Sequence, residues 1–227
     1  MNKRKKITIS GENVKIDAHE TNTHSFAVYN EFSSCGIASA IKDLVGKKEK
    51  PIIVCIGSDL VLGDSLGPLV GTMLLNKKVP LYVYGTLSYP ITAKEIGVAK
   101  SYLSSAHPKT PIIAIDAAVG NQDDVGLIRV KNKGLFPGLG VAKKLGEIGD
   151  ASIMGVVAER SIQNYNLFNL TRLGMIYKMA EQIANGIEQY VLQCFDNKEN
   201  KSNAGNTNTF APLPIRNNFN NLFADAN

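Results

Sequence analysis

Ile52-Ile53-Val54-Cys55-Ile56-Gly57-Ser58-Asp59-Leu60-Val61-Leu62-Gly63-Asp64-Ser65-Leu66-Gly67-Pro68 is the stretch that decides the fold. Its first five residues are apolar and mostly β-branched, with no polar alternation, as expected of a strand buried on both faces. A glycine-flanked acidic turn follows. Pro68 then marks the first turn of a helix over residues 65–76, where its missing N–H costs least. A second apolar run, Ile112-Ile113-Ala114-Ile115, ends directly on Asp116. Strands of a parallel sheet put their carboxyl ends on one edge, and ligands of open α/β sheets bind in the crevice there. Asp64 and Asp116 are therefore expected to face one crevice. Paired carboxylates in a crevice suit general acid–base hydrolysis.

Outward from these two runs, strands and helices alternate. Leu81-Tyr82-Val83-Tyr84 predicts a second strand and residues 92–106 a helix. Leu127-Ile128-Arg129-Val130 alternates and suits an antiparallel strand, and Ser152-Ile153-Met154-Gly155-Val156-Val157 is a further strand. Residues 26–44 and 166–193 carry apolar residues at helical spacing. This order implies an α/β fold, a three-layer αβα sandwich with a central, mostly parallel sheet. One domain is expected over residues 26–194. Residues 1–25 read as an arm, flexible or contributing an edge strand. Residues 195–227 are rich in Asn and too poor in apolar residues to bury a core, and read as a disordered tail.

Composition excludes several classes of function. The chain has 227 residues and a net charge of +5, but its lysines are scattered and form no stripe interleaved with aromatics, so no nucleic-acid partner is expected. No apolar run approaches the roughly 18–20 residues of a membrane span, so no membrane role is expected. The basic start, Met1-Asn2-Lys3-Arg4-Lys5-Lys6, lacks a following apolar core and reads as a soluble arm and not as a secretory signal, so a cytoplasmic location is expected. Cys35, Cys55 and Cys194 have no CxxC spacing, which argues against disulfides and zinc. Cys55 lies in the first strand as an inert thiol, and Cys35 has no histidine near it in sequence to activate it. Neither a G-x-G-x-x-G nor a P-loop motif occurs, and no cofactor is expected. His107 precedes the second apolar run and so lies at the opposite edge of the sheet from Asp116. A strand spans about 17 Å, which argues against a triad or metal site joining the two. His19 or His24 reaches the acids only if the N-terminal arm folds over them.

Each acid also has a structural reading. Asp64 suits a helix N-cap, and Asp116 suits a turn. Asp59 and Ser58 lie in the same turn as Gly63, and Thr86 ends the second strand, so all four are candidates for binding substrate at the crevice. Phe136-Pro137-Gly138-Leu139-Gly140 has no regular pattern and is either a connector or a wall over the site, with Gly138 and Gly140 as binding positions.

Taken together, Gly57-x6-Gly63-Asp64-x2-Gly67-Pro68, Ile115-Asp116-Ala117, Pro137-Gly138-x-Gly140-Val141 and Ile148-Gly149-Asp150 resemble the germination-protease superfamily of spore-forming bacteria. Over roughly residues 25–192 the chain resembles its small YyaC-type spore proteases, and the first two motifs also resemble the hydrogenase maturation endopeptidases. The resemblance implies a hydrogenase maturation protease-like α/β fold and an aspartic-type endopeptidase of sporulation or germination, in which Asp64 and Asp116 are the catalytic pair. The substrate it implies is a peptide or small acid-soluble spore protein in the cytoplasm of the forespore or sporulating cell; a homo-oligomer is compatible with it. In the maturation endopeptidases a Glu and an Asp at the two acid positions bind nickel with a later His. No His follows His107 in this chain, so that ligand set is incomplete. Two other functions stay open: a catalytically silent sporulation protein that uses the crevice for binding, and a metal-dependent peptidase that adds an N-terminal His to the acids.

Overall fold

The computed structural model describes residues 23–137, 146–160 and 171–196. A six-stranded mixed sheet forms its centre, in the order β1-β5-β6-β4-β2-β3. The strands are β1 (Thr23–Ala27), β2 (Ile52–Cys55), β3 (Val83–Tyr84), β4 (Ile112–Gly120), β5 (Leu127–Lys131) and β6 (Ala151–Glu159). β3, β2, β4 and β6 run parallel. β5 is antiparallel to β6, and β1 to β5. Four helices flank the sheet: α1 (Ser33–Val45), α2 (Leu66–Asn76), α3 (Ile96–Ala106) and α4 (Leu173–Val191).

The parity of side chains along the strands explains the layering. Ile53 and Cys55 of β2, Ile113 and Ile115 of β4, and Ile128 and Val130 of β5 point to one face, where they pack with α1, α2 and α4. Ile52, Val54 and Ala114 point to the other and pack with α3 and with Leu135 and Ile148. All four residues of β2 have no exposure at all, which is why its sequence is uniformly apolar. α3 covers chiefly the β2–β3 side of its face. On the rest of that face, Leu127, Arg129 and Lys131 of β5 and Met154 of β6 stay half-exposed.

Several boundaries differ from the sequence reading. Phe26 and Ala27 belong to strand β1, which pairs with β5, and not to the helix that follows. The second strand shrinks to Val83–Tyr84. The helix expected from residue 92 starts at Ile96, because Thr92 and Glu95 bond to each other in the preceding turn. α4 begins at Leu173; residues 166–170 of the expected helix lie outside the described residues. Among the described residues, no helix is long and apolar enough to cross a membrane.

Tyr190 anchors the three-helix face. Its ring is fully buried, it meets Phe195 edge-on, and its hydroxyl donates to the Gly46 carbonyl at the end of α1 over 2.7 Å. Tyr190→Phe leaves that interior carbonyl without its partner, and we expect a loss of about 1–2 kcal/mol in urea unfolding. An unchanged midpoint would show that the bond adds nothing.

Candidate active site

β2 stops at Cys55, opposite Ile115 of β4, and Ile56 adds one more bond by donating its N–H to the Ile115 carbonyl over 2.7 Å. β4 does not stop there. It continues to Gly120, paired with β6 throughout. Asp116 is thus not the residue after a strand, as the sequence suggested. It is an interior residue of β4, at the point where its neighbour on the β2 side has ended. The gap left beyond β2 is occupied by the turn that carries Asp64.

That turn is a short 3-10 helix, Leu62–Asp64. The Asp64 carbonyl accepts the Ser58 N–H over 3.0 Å, which folds the loop 58–64 back on itself. Asp64 is not the helix cap that its position suggested. The N-cap of α2 is Ser65, whose hydroxyl donates to the Leu62 carbonyl and caps nothing. The Asp64 carboxylate is therefore not spent on the helix end.

Both acids are perturbed, and in the same direction. Burial pushes Asp64 up to about 6, with the Ser58 backbone N–H opposing. Asp116 lies deeper. Burial raises it well above the usual carboxylate range, the charge of Asp64 raises it further, and the Ala117 N–H, which donates to Asp116 Oδ1 over 2.8 Å, opposes. The two carboxyls thus sense one another across the gap beyond β2. The charge of Asp64 acting on Asp116 favours keeping a proton there, where a second charge is disfavoured.

The other candidates fall in different places. Gly63 is buried inside the turn of Asp64. Ser58 is half-buried, and its hydroxyl accepts the Leu60 N–H over 3.2 Å. Asp59 is exposed at the tip of the loop, beside Leu60, which is 88% exposed. Thr86 is buried and its hydroxyl accepts the Tyr89 N–H, so it holds its own turn together. Gly138 and Gly140 lie outside the described residues. Cys55 is buried, which raises its thiol far from ionisation, whereas Cys35 is exposed on α1.

The histidines do not join the acids. His107 ends α3, and its Nε2 lies 2.8 Å from the Tyr84 hydroxyl, with the Tyr82 ring against it. His24 is level with Val130, Ile153 and Ile115 across the sheet. That row faces the three-helix side, whereas Asp116, one residue on, faces the opposite side. His24 is therefore on the wrong face as well as three strands away; His19 lies outside the described residues. Among the described residues no group of three or more His, Cys, Asp or Glu could hold a metal. Among the described residues no imidazole joins the two carboxylates.

The sequence reading missed two side chains. Asp116, Met154, Arg129 and Ser25 are level with one another on β4, β6, β5 and β1. Residues level across a sheet share a face, so Arg129 belongs to the open face that bears Asp116. Lys131, two residues along, shares it. The alternation of β5 carried this signal; the pairing register, which local sequence does not show, completes it.

Fold and site together define an α/β protein with a coupled acid pair where one central strand outruns its neighbour. The chain belongs to the family described as a protein of unknown function, DUF1256, whose model matches residues 24–186. It is 36% identical over 152 residues to the uncharacterized protein YyaC of Bacillus subtilis (strain 168), covering 66% of this chain and 73% of that one. Among solved structures, it is similar to a [NiFe] hydrogenase maturation protease, HycI, from Thermococcus kodakarensis KOD1. That likeness spans 66% of this chain and 97% of the other, at 17% identity and a TM-score of 0.44.

Proposed function

We propose that the chain is an aspartic-type endopeptidase that hydrolyses peptide bonds with Asp64 and Asp116. The observation that carries this reading is the pair itself: two carboxyls, both raised by burial, one raised further by the other. Groups tuned in this way cluster where proton transfer is needed.

The perturbations assign roles within this reading. At neutral pH Asp64 is mostly ionised and takes a proton from the attacking water. Asp116 keeps its proton and gives it to the carbonyl oxygen or the leaving amine. Activity then needs Asp64 charged and Asp116 neutral, so kcat/KM should rise through about pH 6 and fall again where Asp116 ionises. A profile flat across this range counts against the assignment.

A role in sporulation, with small acid-soluble spore proteins as substrates in the forespore, rests on the motif resemblance. Incubation of the purified protein with such proteins tests it directly, with Asp64→Asn and Asp116→Asn as controls. Cleavage fragments from the native chain and none from either variant are expected. Full activity in either variant refutes the acid pair.

A further inference from the structure

The open face beside the acids is not neutral. β5 turns Ile128 and Val130 into the core, so Leu127, Arg129 and Lys131 face outward on the side that bears Asp116. Arg129 is level with Asp116, with only β6 between them. Two strand spacings put their backbones about 10 Å apart. The Arg129 guanidinium is held by Asp124, at the turn that follows β4. Among the described residues no carboxylate pairs with Lys131. It is partly buried next to a second cation, and both effects disfavour its charge. Arg129 already holds Asp124, so the charge left unmet on this half-buried face is that of Lys131, and an anion set between the two side chains meets it.

We propose that Arg129 and Lys131 form a subsite for a carboxylate of the peptide substrate, bound across β6 with its scissile bond at the acid pair. This rests on the hydrolytic reading of Asp64 and Asp116. An extended peptide rises about 3.3 Å per residue, so the recognised carboxylate lies about three residues from the bond cleaved. It is either an acidic side chain or the α-carboxylate of a substrate that ends there. Met154 of β6, half-exposed between the acid and the cations, is the apolar floor the intervening residues cross.

The test is binding, measured apart from turnover. The full-length Asp64→Asn chain is titrated with fluorescent randomised short peptides in matched sets: with Asp and Glu, with Asn and Gln in their place, and each with a free or an amidated C-terminus. Acidic peptides are expected to bind about tenfold more tightly than their amide counterparts. If the preference survives C-terminal amidation, the side chain is the ligand; if only free-ended peptides show it, the α-carboxylate is. Lys131→Gln should remove most of the preference and Lys131→Arg keep it. Among the described residues Lys131 makes no ion pair, so this does not disturb the Asp124 contact of Arg129. Equal binding of acidic and neutral sets, no binding of either, or a preference untouched by Lys131→Gln overturns the subsite. Hydrolysis that persists in both Asp→Asn variants, with the acidic preference intact, removes the catalytic reading and leaves the subsite standing.

Discussion

Asp116→Asn is expected to inactivate the protein and stabilise it at the same time. The change is nearly isosteric and keeps a carbonyl oxygen to accept the Ala117 N–H. It removes the proton that Asp116 is proposed to donate, a contribution of about 10²–10⁴-fold in rate. It also removes a carboxyl that the fold disfavours in its charged form. An acid whose pKa is raised on folding holds its proton in the native state after the unfolded chain has lost it. The native state then binds more protons, so stability falls as pH rises. For Asp64 the decline runs from about pH 4, where the unfolded chain ionises, to about pH 6; for Asp116 it continues well above that. Asp64 is partly exposed, so solvent screening reduces its share to roughly 1–2 kcal/mol. Asp116 is half-buried too, and its contribution has the same sign. Urea unfolding across this range should show the native chain losing stability toward alkaline pH. The asparagine variant should show a shallower slope and stand above the native chain at pH 8. A variant less stable than the native chain at pH 8 would mean that Asp116 supports the fold and that its burial is structural.

The same two acids show what local sequence reveals and what it does not. β2 was legible because a strand buried on both faces admits only apolar residues, and all four of its residues are fully enclosed. The crevice at its carboxyl end followed from strand direction alone. The extent of β4 did not. Residues 117–120 are small and, Val119 apart, weakly strand-forming, and they are held in the sheet by β6, whose partnership is non-local. For the same reason the position of β1 at Thr23–Ala27 was hidden, although an edge strand was one reading of residues 1–25. As an edge strand it alternates exposed and half-buried residues, and its one partner, β5, lies about a hundred residues away in sequence. The cap reading of Asp64 failed because Ser65 takes the capping position while Ser58 claims the Asp64 carbonyl, a contact between residues brought together by Gly57. The alternation of β5 was visible, but its value for function depended on register. Only the pairing of Arg129 with Met154, and of Met154 with Asp116, connects the cations to the acids.

Gly57→Ala and Gly67→Ala are expected to be among the most destabilising single substitutions, because these residues let the Asp64 turn and α2 close onto the end of β2. Gly57 has φ +140°, and a methyl group there would stand 2.0 Å from the Asp64 carbonyl oxygen. At Gly67 the methyl would stand 2.1 Å from the Ile56 carbonyl oxygen. Neither obstacle is the end of a flexible side chain. Both are backbone, and the Ile56 unit is tied through its N–H to β4, so relief requires α2 to move away from the sheet. Overpacking of this kind costs about 3 kcal/mol or more. The effect on the site should exceed the effect on stability. A shift of α2 carries Asp64 away from Asp116, removes the repulsion that raises Asp116, and leaves no crevice of the right width. The native pH dependence of stability should therefore flatten in whatever fraction still folds. Gly97→Ala in α3 and Gly174→Ala in α4 are the matched controls. Both lie in helices with nothing within 4 Å of the new methyl group, and alanine there should be neutral or stabilising by up to about 1 kcal/mol. If Gly57→Ala and Gly67→Ala unfold at the same urea concentration as these controls, α2 is not wedged against β2, and the closeness of the two acids loses its structural cause.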